Sequence, residues 1–408
     1  MRPSFSPEQA EVISPDSRLP AIVAGFAGWL LDAFDFFLVT FCLTAIARDF
    51  HKSDAQVALI ITFTLALRPI GSLIFGAFAD RFGRRRPLMV NIGLFACAEI
   101  LTGIAPNYTF LLIVRALFGM IMGGNWGLGA SLAMESAASN NRGIFSGILQ
   151  EGYAAGNVLA ALCYFALFNR VGWRALFFVG TIPAIVLVLF IRFGVKESDV
   201  WQRRAKKVHS WQEQSLEFVS HWKLFLYMLA FMTAMIFASH GTQDMYPTFL
   251  QREWHFNPAH RSAITAFAGI GGMVGGVIFG YLSDRWGRRR TVVTAFGLGV
   301  LIIPVWAYAP NPVVLVAGAF LIQCMVQGAW GVVPAHLVEL SPDSMRALMP
   351  GFAYQSAAVL GSSVVYLEAV YAERATYATA MALTALSSFI LASILVLCGR
   401  EQSGQQLG

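Results

Sequence analysis

The chain has 408 residues, of which 57 % are hydrophobic and only 13 % charged, a balance that excludes an ordinary soluble enzyme or binding module. Its net charge of +6 is not a nucleic-acid footprint, because the basic residues sort to one side of a series of apolar runs. The chain reads as an integral membrane protein.

Residues 1–20 are polar and carry Pro3, Pro7 and Pro15, without the basic start and short apolar core of a cleavable signal. They are expected to form a cytoplasmic N-terminal segment. Six apolar runs follow at 21–47, 57–79, 88–105, 109–134, 145–168 and 174–193, each of a length to cross a hydrocarbon core of about 30 Å. They form an expected N-terminal six-helix bundle over 21–194. Residues 195–222 then mix Lys196, Arg203, Arg204, Lys206 and Lys207 with Trp201, Trp211, Phe218 and Trp222. This segment reads either as a solvated cytoplasmic linker or as interfacial amphipathic helices. A second bundle is expected over 223–398, with runs at 224–250, 262–281, 291–308, 312–338, 349–370 and 375–398, before a cytoplasmic tail at 399–408.

Of 29 Lys and Arg residues, twenty fall on the side of both termini and the central linker, seven fall on the other, and Arg68 and Arg115 lie inside the membrane. That excess is expected to place both termini and the 195–222 segment in the cytoplasm. The five cysteines all lie within apolar runs and form no Cys-x-x-Cys pair, so neither a disulfide framework nor a metal site is indicated. No cofactor is expected. Gly269-Ile-Gly271 is not a dinucleotide fingerprint, since Val274 stands at the third glycine position and no strand precedes it.

The two halves repeat at an offset of 204 residues. Gly76-Ala-Phe-Ala-Asp80-Arg81-Phe-Gly83-Arg84-Arg85-Arg86 returns as Gly280-Tyr-Leu-Ser-Asp284-Arg285-Trp-Gly287-Arg288-Arg289-Arg290, and Ala105-Pro106-Asn107, Glu135 and Arg142 return as Ala309-Pro310-Asn311, Glu339 and Arg346. In this loop the aspartate can cap a neighbouring helix N-terminus, the glycine permits a tight turn, and the arginines can pair with acidic helix ends such as Glu135. The loop resembles the signature of the major facilitator superfamily, a likeness that covers the whole chain. The resemblance implies an all-α membrane fold of twelve transmembrane helices in two six-helix bundles. It also implies a central site near the midplane that faces each side in turn, with Asp80, Arg81, Gly83, Arg84, Asp284, Arg285, Gly287 and Arg288 acting as gating loops.

Paired features are scaffold, so function should reside in charges that lack a repeat counterpart. Asp32 aligns with Ile236, Asp35 with Ser239, Arg68 with Gly272, Glu99 with Ile303 and Arg115 with Ala319; in reverse, His240 aligns with Phe36 and Asp244 with Thr40. Asp32, Asp35, Arg68, His240 and Asp244 are expected to meet near a central cavity. Arg68 suits a substrate with one carboxylate, because a guanidinium holds it through two hydrogen bonds; a permanent salt bridge to Asp32 or Asp35 is the alternative and is compatible with that role. Asp35, Asp244 and His240 are candidates for proton carriage, followed by Asp32 and Glu151, although His240 can also be a packing histidine. Glu99 and Arg115 are expected to form a structural ion pair. Polar groups able to complete the cavity are Asn125, Gln150, Tyr153, Gln323, Gln327, Tyr354 and Gln355.

Ser239-His240-Gly-Thr242-Gln243-Asp244-Met-Tyr-Pro-Thr248 resembles the helix 7 signature of the fungal lactate and pyruvate permeases, except that Ile236 replaces its first Asn. Asp32-Ala-Phe-Asp35, Leu67-Arg68, Arg115-Ala-Leu-Phe-Gly119 and Gly152-Tyr153-Ala154 also resemble that group, which sits with the bacterial sialic acid:proton symporters. The resemblance implies proton-coupled uptake of an organic acid anion across the cytoplasmic (inner) membrane, with a small monocarboxylate of the lactate or pyruvate type first and sialic acid second. The expected partners are that anion, a proton and the lipid bilayer, with no nucleic acid, and a monomer is expected. An enzyme would need a nucleophile beside a base or a metal cluster, and a nutrient sensor would need a signalling tail; neither feature is seen.

Overall fold

A computed structural model describes residues 15–204, 211–404 and 407. The first fourteen residues of the expected N-terminal segment, and Lys206 and Lys207 of the expected linker, lie outside the described residues. In the first half the helices are α1 (Pro15–Asp49), α2 (Asp54–Phe82), α3 (Arg85–Gly103), α4 (Tyr108–Ser136), α5 (Arg142–Gln150) and α6 (Gly152–Gly194). Two short helices, α7 (Asp199–Arg204) and α8 (Trp211–Ser220), connect to the second half. That half comprises α9 (Trp222–Gln243), α10 (Tyr246–Arg252), α11 (Pro258–Trp286), α12 (Arg288–Ala307), α13 (Pro312–Leu340), α14 (Leu348–Gly361), α15 (Val364–Ala372) and α16 (Tyr377–Cys398).

Nine stretches among the described residues are long and apolar enough to cross a membrane. One of them, Arg142–Gly194, contains two spans, because Gly172 at φ 74° interrupts α6 between the runs expected at 145–168 and 174–193. With α3, and with α14 and α15 taken together, the spans are twelve. Local sequence sets their ends. Ser53 and Gln56 form a reciprocal capping box at the start of α2, at 3.2 and 3.1 Å. The repeated asparagines do the same work in both halves: Asn107 Oδ1 accepts from Phe110 N at 2.9 Å and Asn311 Oδ1 from Val314 N at 3.0 Å, opening α4 and α13. Gly83 and Gly287, at φ 97° and 90°, end α2 and α11 in a conformation that disfavours a side chain.

In a bilayer, helices gain little from apolar burial against one another and associate through close backbone packing. A β-carbon on Gly71 would sit 1.7 Å from Met120 O, and on Gly123 2.0 Å from Arg68 O, so α2 and α4 touch along their backbones. Gly275, the repeat counterpart of Gly71, packs α11 on α13 in the same way, 1.9 Å from Cys324 O. Gly276 and Gly280 face the other bundle instead: a β-carbon on Gly280 would sit 2.6 Å from Gly143 O of α5. The halves thus meet where α5 crosses α11 and α13, and where α14 crosses α2 and α4. Side chains such as Phe165, Phe193, Leu301 and Val313 are exposed on the outside, where the lipid takes the place of water.

The connecting helices are not a free linker. Trp201 Nε1 donates to Asp80 O at 2.9 Å, Gln214 Nε2 to Ala77 O at 3.4 Å, and Phe218 packs on Phe225 and Phe352. They lie across the end of the molecule that carries the repeated loops, called the loop end below.

Candidate functional site

Arg68 projects from the middle of α2 to the junction of the bundles and is only 5 % exposed. Its Nε and Nη2 have no hydrogen-bond partner, and its Cζ lies 6.0 Å from the centre of the Tyr354 ring on α14. Asp32 of α1 is fully buried, within electrostatic range of Arg68 and in reach of the Asn125 side chain, and its oxygens make no direct bond to the guanidinium. The alternative for Arg68, a salt bridge to Asp32 or Asp35, is not made in this structure. Its neighbour Asn125 on α4 donates to Gly28 O at 2.8 Å and leaves Oδ1 unpartnered. In the second half, the place of Arg68 is taken by Gly272, against which Gln327 packs; a β-carbon there would meet Gln327 Cγ at 2.9 Å.

Aromatic rings enclose this point. Tyr354 lies 4.8 Å from Trp126, 5.8 Å from Trp330 and 6.1 Å from Trp29, while Tyr153 lies 5.2 Å from Trp29, ring centre to ring centre. Trp126 and Trp330 are repeat equivalents at the 204 offset. Sequence reasoning missed all three tryptophans, although that pairing was a usable signal. Gln150 Oε1 accepts from Trp126 Nε1 at 3.2 Å, and Gln355 Nε2 reaches across the bundles to Gly123 O at 3.3 Å. Glu151, at the break between α5 and α6, rests on the α11 backbone, where its Oε1 lies 2.1 Å from a β-carbon built on Gly276.

The remaining charges divide into two groups. Arg115 does not pair with Glu99 as expected: both of its terminal nitrogens donate to the Asp35 carboxylate, Nη1 to Oδ1 at 2.9 Å and Nη2 to Oδ2. Glu99 lies beside this pair, fully buried, within electrostatic reach of Arg115 and within hydrogen-bonding reach of the Asp35 carboxyl. Asp35 is thus drawn into its own bundle. In the second half, His240 Nδ1 and Asp244 Oδ2 are 2.9 Å apart and both residues are exposed. Asp244 lies within electrostatic range of Tyr153 in the other bundle. Gln323 and Gln327 serve the same helix: Gln323 Oε1 accepts from Gln243 Nε2 at 2.8 Å, Gln323 Nε2 donates to Thr242 Oγ1 at 3.1 Å, and Gln327 Nε2 donates to Ser239 Oγ at 3.4 Å.

At the loop end the repeated motif joins the bundles twice. Asp80 accepts from the Ala347 and Leu348 N–H groups at the start of α14, at 3.1 and 2.9 Å; Asp284 accepts from Gly143 and Ile144 at the start of α5, at 2.7 and 3.0 Å. Arg84 holds Asp80 and Glu135 at 2.6 and 2.7 Å, while Arg288 holds Asp284 and Glu339 at 2.8 and 2.9 Å. Arg142 adds a cross-bundle pair to Glu339 at 2.9 Å. Arg81 and Arg285 lie over the rings of Phe82 and Tyr281. Glu197 and Glu401, also 204 apart, cap the turns at Arg84 and Arg288 at 2.7 and 3.1 Å. Burial opposes ionisation of Glu401, but the N–H groups of Arg289 and Arg288 outweigh it and hold its pKa below the usual carboxylate value. The loop end is closed, and His240 and Asp244 are open to solvent.

The sequence matches the profile of the Major Facilitator Superfamily over residues 25–366, with a second match over 229–406. It is 27 % identical over 421 aligned positions to a carboxylic acid transporter protein homolog of Saccharomyces cerevisiae, covering 94 % of this chain and 68 % of that one. It is 28 % identical to the sialic acid transporter NanX of Escherichia coli, covering 87 % of each. Among solved structures, the proton:xylose symporter XylE superposes with a TM-score of 0.74 at 17 % identity, over 96 % of this chain and 98 % of that one. Among the described residues no group of three or more His, Cys, Asp or Glu could hold a metal ion.

Proposed function

The chain belongs to the major facilitator superfamily, and on that premise we propose that it is a symporter that moves a small monocarboxylate of the lactate or pyruvate type together with a proton. The observation that carries the reading is Arg68: a buried, permanently charged fork with two unused donors at the junction of the bundles. A carboxylate is the anion that fits such a fork. The surrounding rings suit a small, largely apolar body, and relatives named for carboxylic acids and for sialic acid both act on carboxylates.

In this reading Arg68 and Tyr354 hold the anion, with Asn125, Gln150, Tyr153, Gln323, Gln327 and Gln355 shaping the cavity. The Asp35–Arg115–Glu99 cluster and the His240–Asp244 pair carry protons, while Asp32 and Glu151 are the next candidates. Acids of pKa about 4 are anions at neutral pH, so entry with one proton is electrically neutral and draws on the pH gradient. The positive residues at the loop end support a cytoplasmic position for it at an inner membrane, and in that orientation a closed loop end means a site open outward. Rocking of the bundles then exposes the site to each side in turn.

The test is uptake of labelled lactate, pyruvate, acetate and sialic acid into liposomes, with and without an imposed pH gradient. Lactate or pyruvate should accumulate only when the interior is alkaline. Accumulation of sialic acid alone would move the assignment to that larger acid. Binding without uptake would make the protein a sensor.

A further inference from the structure

Resting on the reading above, we infer that Glu368 is a proton-binding residue of the C-terminal bundle, loaded from water through the exposed His240–Asp244 pair. Glu368 lies on α15 and aligns with Tyr164 in the repeat, so the scaffold does not require a charge there. It is 1 % exposed, and neither carboxylate oxygen has a hydrogen-bond partner. Three helices converge on it: a β-carbon on Gly241 of α9 would sit 3.2 Å from Glu368 Oε1 and 2.5 Å from Cγ2 of Thr384 on α16. Gly241 is what leaves room for the carboxyl against the α9 backbone.

The helices packed on α15 are α9 and α16. α16 carries no charged side chain. On α9 and its end the nearby titratable groups are His240, immediately before Gly241, and Asp244; α15 itself adds Tyr366 and Tyr371. No arginine or lysine on these helices is placed to pair with Glu368. The hydroxyl in reach is that of Thr384 on α16, and it already donates to Ala380 O at 3.0 Å, so an ionised carboxylate here would have neither a cation nor a free donor and the neutral acid is favoured. One side of Gly241 is therefore wet, where His240 and Asp244 exchange protons with solvent, and the other is dry, where Glu368 stores one. α14, which bears Tyr354 and Gln355, is separated from α15 by a break at Ser362 and Ser363. Loss of the proton would put a charge into this dry contact and shift α15 at that break, linking protonation to the helix that lines the substrate cavity.

The experiment compares wild type and Glu368→Gln in liposomes, measuring both exchange of labelled for unlabelled lactate and accumulation driven by a pH gradient. Glu368→Gln should keep exchange, lose accumulation at least tenfold, and show an exchange rate that no longer falls at alkaline pH. Wild-type accumulation together with a wild-type pH profile in this variant overturns the inference. Absence of pH-driven uptake in the wild type instead overturns the symport reading on which it rests. Should Glu368→Gln fail to fold, Glu368→Asp decides: it keeps a carboxyl at the site but draws it back from Gly241 by one methylene, so pH-driven accumulation should survive with a displaced alkaline limb, and an unchanged limb overturns the proposal.

Discussion

Arg68 keeps its charge at any cellular pH, so on the proposed reading the donors it leaves free between the bundles are available to a substrate carboxylate. Hydrogen bonds to a charged group are worth about 1.5–3 kcal/mol, which corresponds to roughly ten- to a hundredfold in affinity. Arg68→Gln and Arg68→Lys should therefore both raise the KM for uptake by that order, the second because lysine keeps the charge but loses the fork. Unchanged KM in both variants would remove Arg68 from the substrate site. Asp35 presents a different case, since its removal leaves Arg115 with Glu99 as a second carboxylate in reach. Asp35→Asn should fold and retain exchange while losing pH-driven accumulation. Asp35→Asn with Glu99→Gln should not yield folded protein by size-exclusion chromatography, because an uncompensated buried charge costs about 3–5 kcal/mol. Arg68 was legible as a charge whose repeat counterpart is Gly272. The Asp35–Arg115 pair was not, because sequence gives depth along a helix but not the rotation that decides whether Asp35 or Glu99 meets the guanidinium. Trp126 and Trp330 are apolar residues within apolar runs, and only their pairing across the repeat set them apart.

Helix ends were readable where a polar residue must satisfy free N–H groups, as at Asn107 and Asn311, or where only glycine fits, as at Gly83 and Gly287. Breaks within spans were harder to see. α9 gives way to α10 at Asp244 and Met245, and α14 to α15 at Ser362 and Ser363; Pro247 marked the first and Gly361-Ser362-Ser363 the second, each inside an otherwise continuous apolar run. A lipid-embedded chain tolerates such breaks when neighbouring helices cover the freed backbone. The glycines at the crossing of α5 and α11 are a stronger constraint. A methyl group on Gly280 would lie 2.6 Å from Gly143 O and 3.3 Å from Gly147 Cα, whereas one on Gly297 meets nothing within 4 Å. Gly280→Ala should push the bundles apart at the loop end and favour the opposite-facing state, while Gly297→Ala should be neutral. Labelling of single engineered cysteines by a membrane-impermeant thiol reagent, applied from each side in turn, reads the shift. Equal labelling patterns in the two variants would show that this crossing does not limit closure.

For the whole molecule, the 204-residue repeat made two-bundle organisation legible, and it places a second copy of the same lock at the loop end. Asp80 caps α14 from α2, and Asp284 caps α5 from α11, so each bundle supplies one carboxylate and receives one. A carboxylate at a helix N-terminus contributes up to about 2 kcal/mol when partly buried, enough to change a two-state ratio by roughly thirtyfold. Asp80→Asn and Asp284→Asn should each shift the population toward the state with an open loop end, and by similar factors, since their partners and geometry correspond. The two contacts lie on different helix crossings with separate arginines, so their effects should multiply in the double variant. Thiol accessibility from the loop-end side measures the population, and the rate of exchange shows whether opening remains reversible. A shift from one aspartate but not the other would show that the halves do not share the lock equally. In that case the equivalence of the two loops would be confined to sequence and local geometry, and closure would depend on one crossing alone.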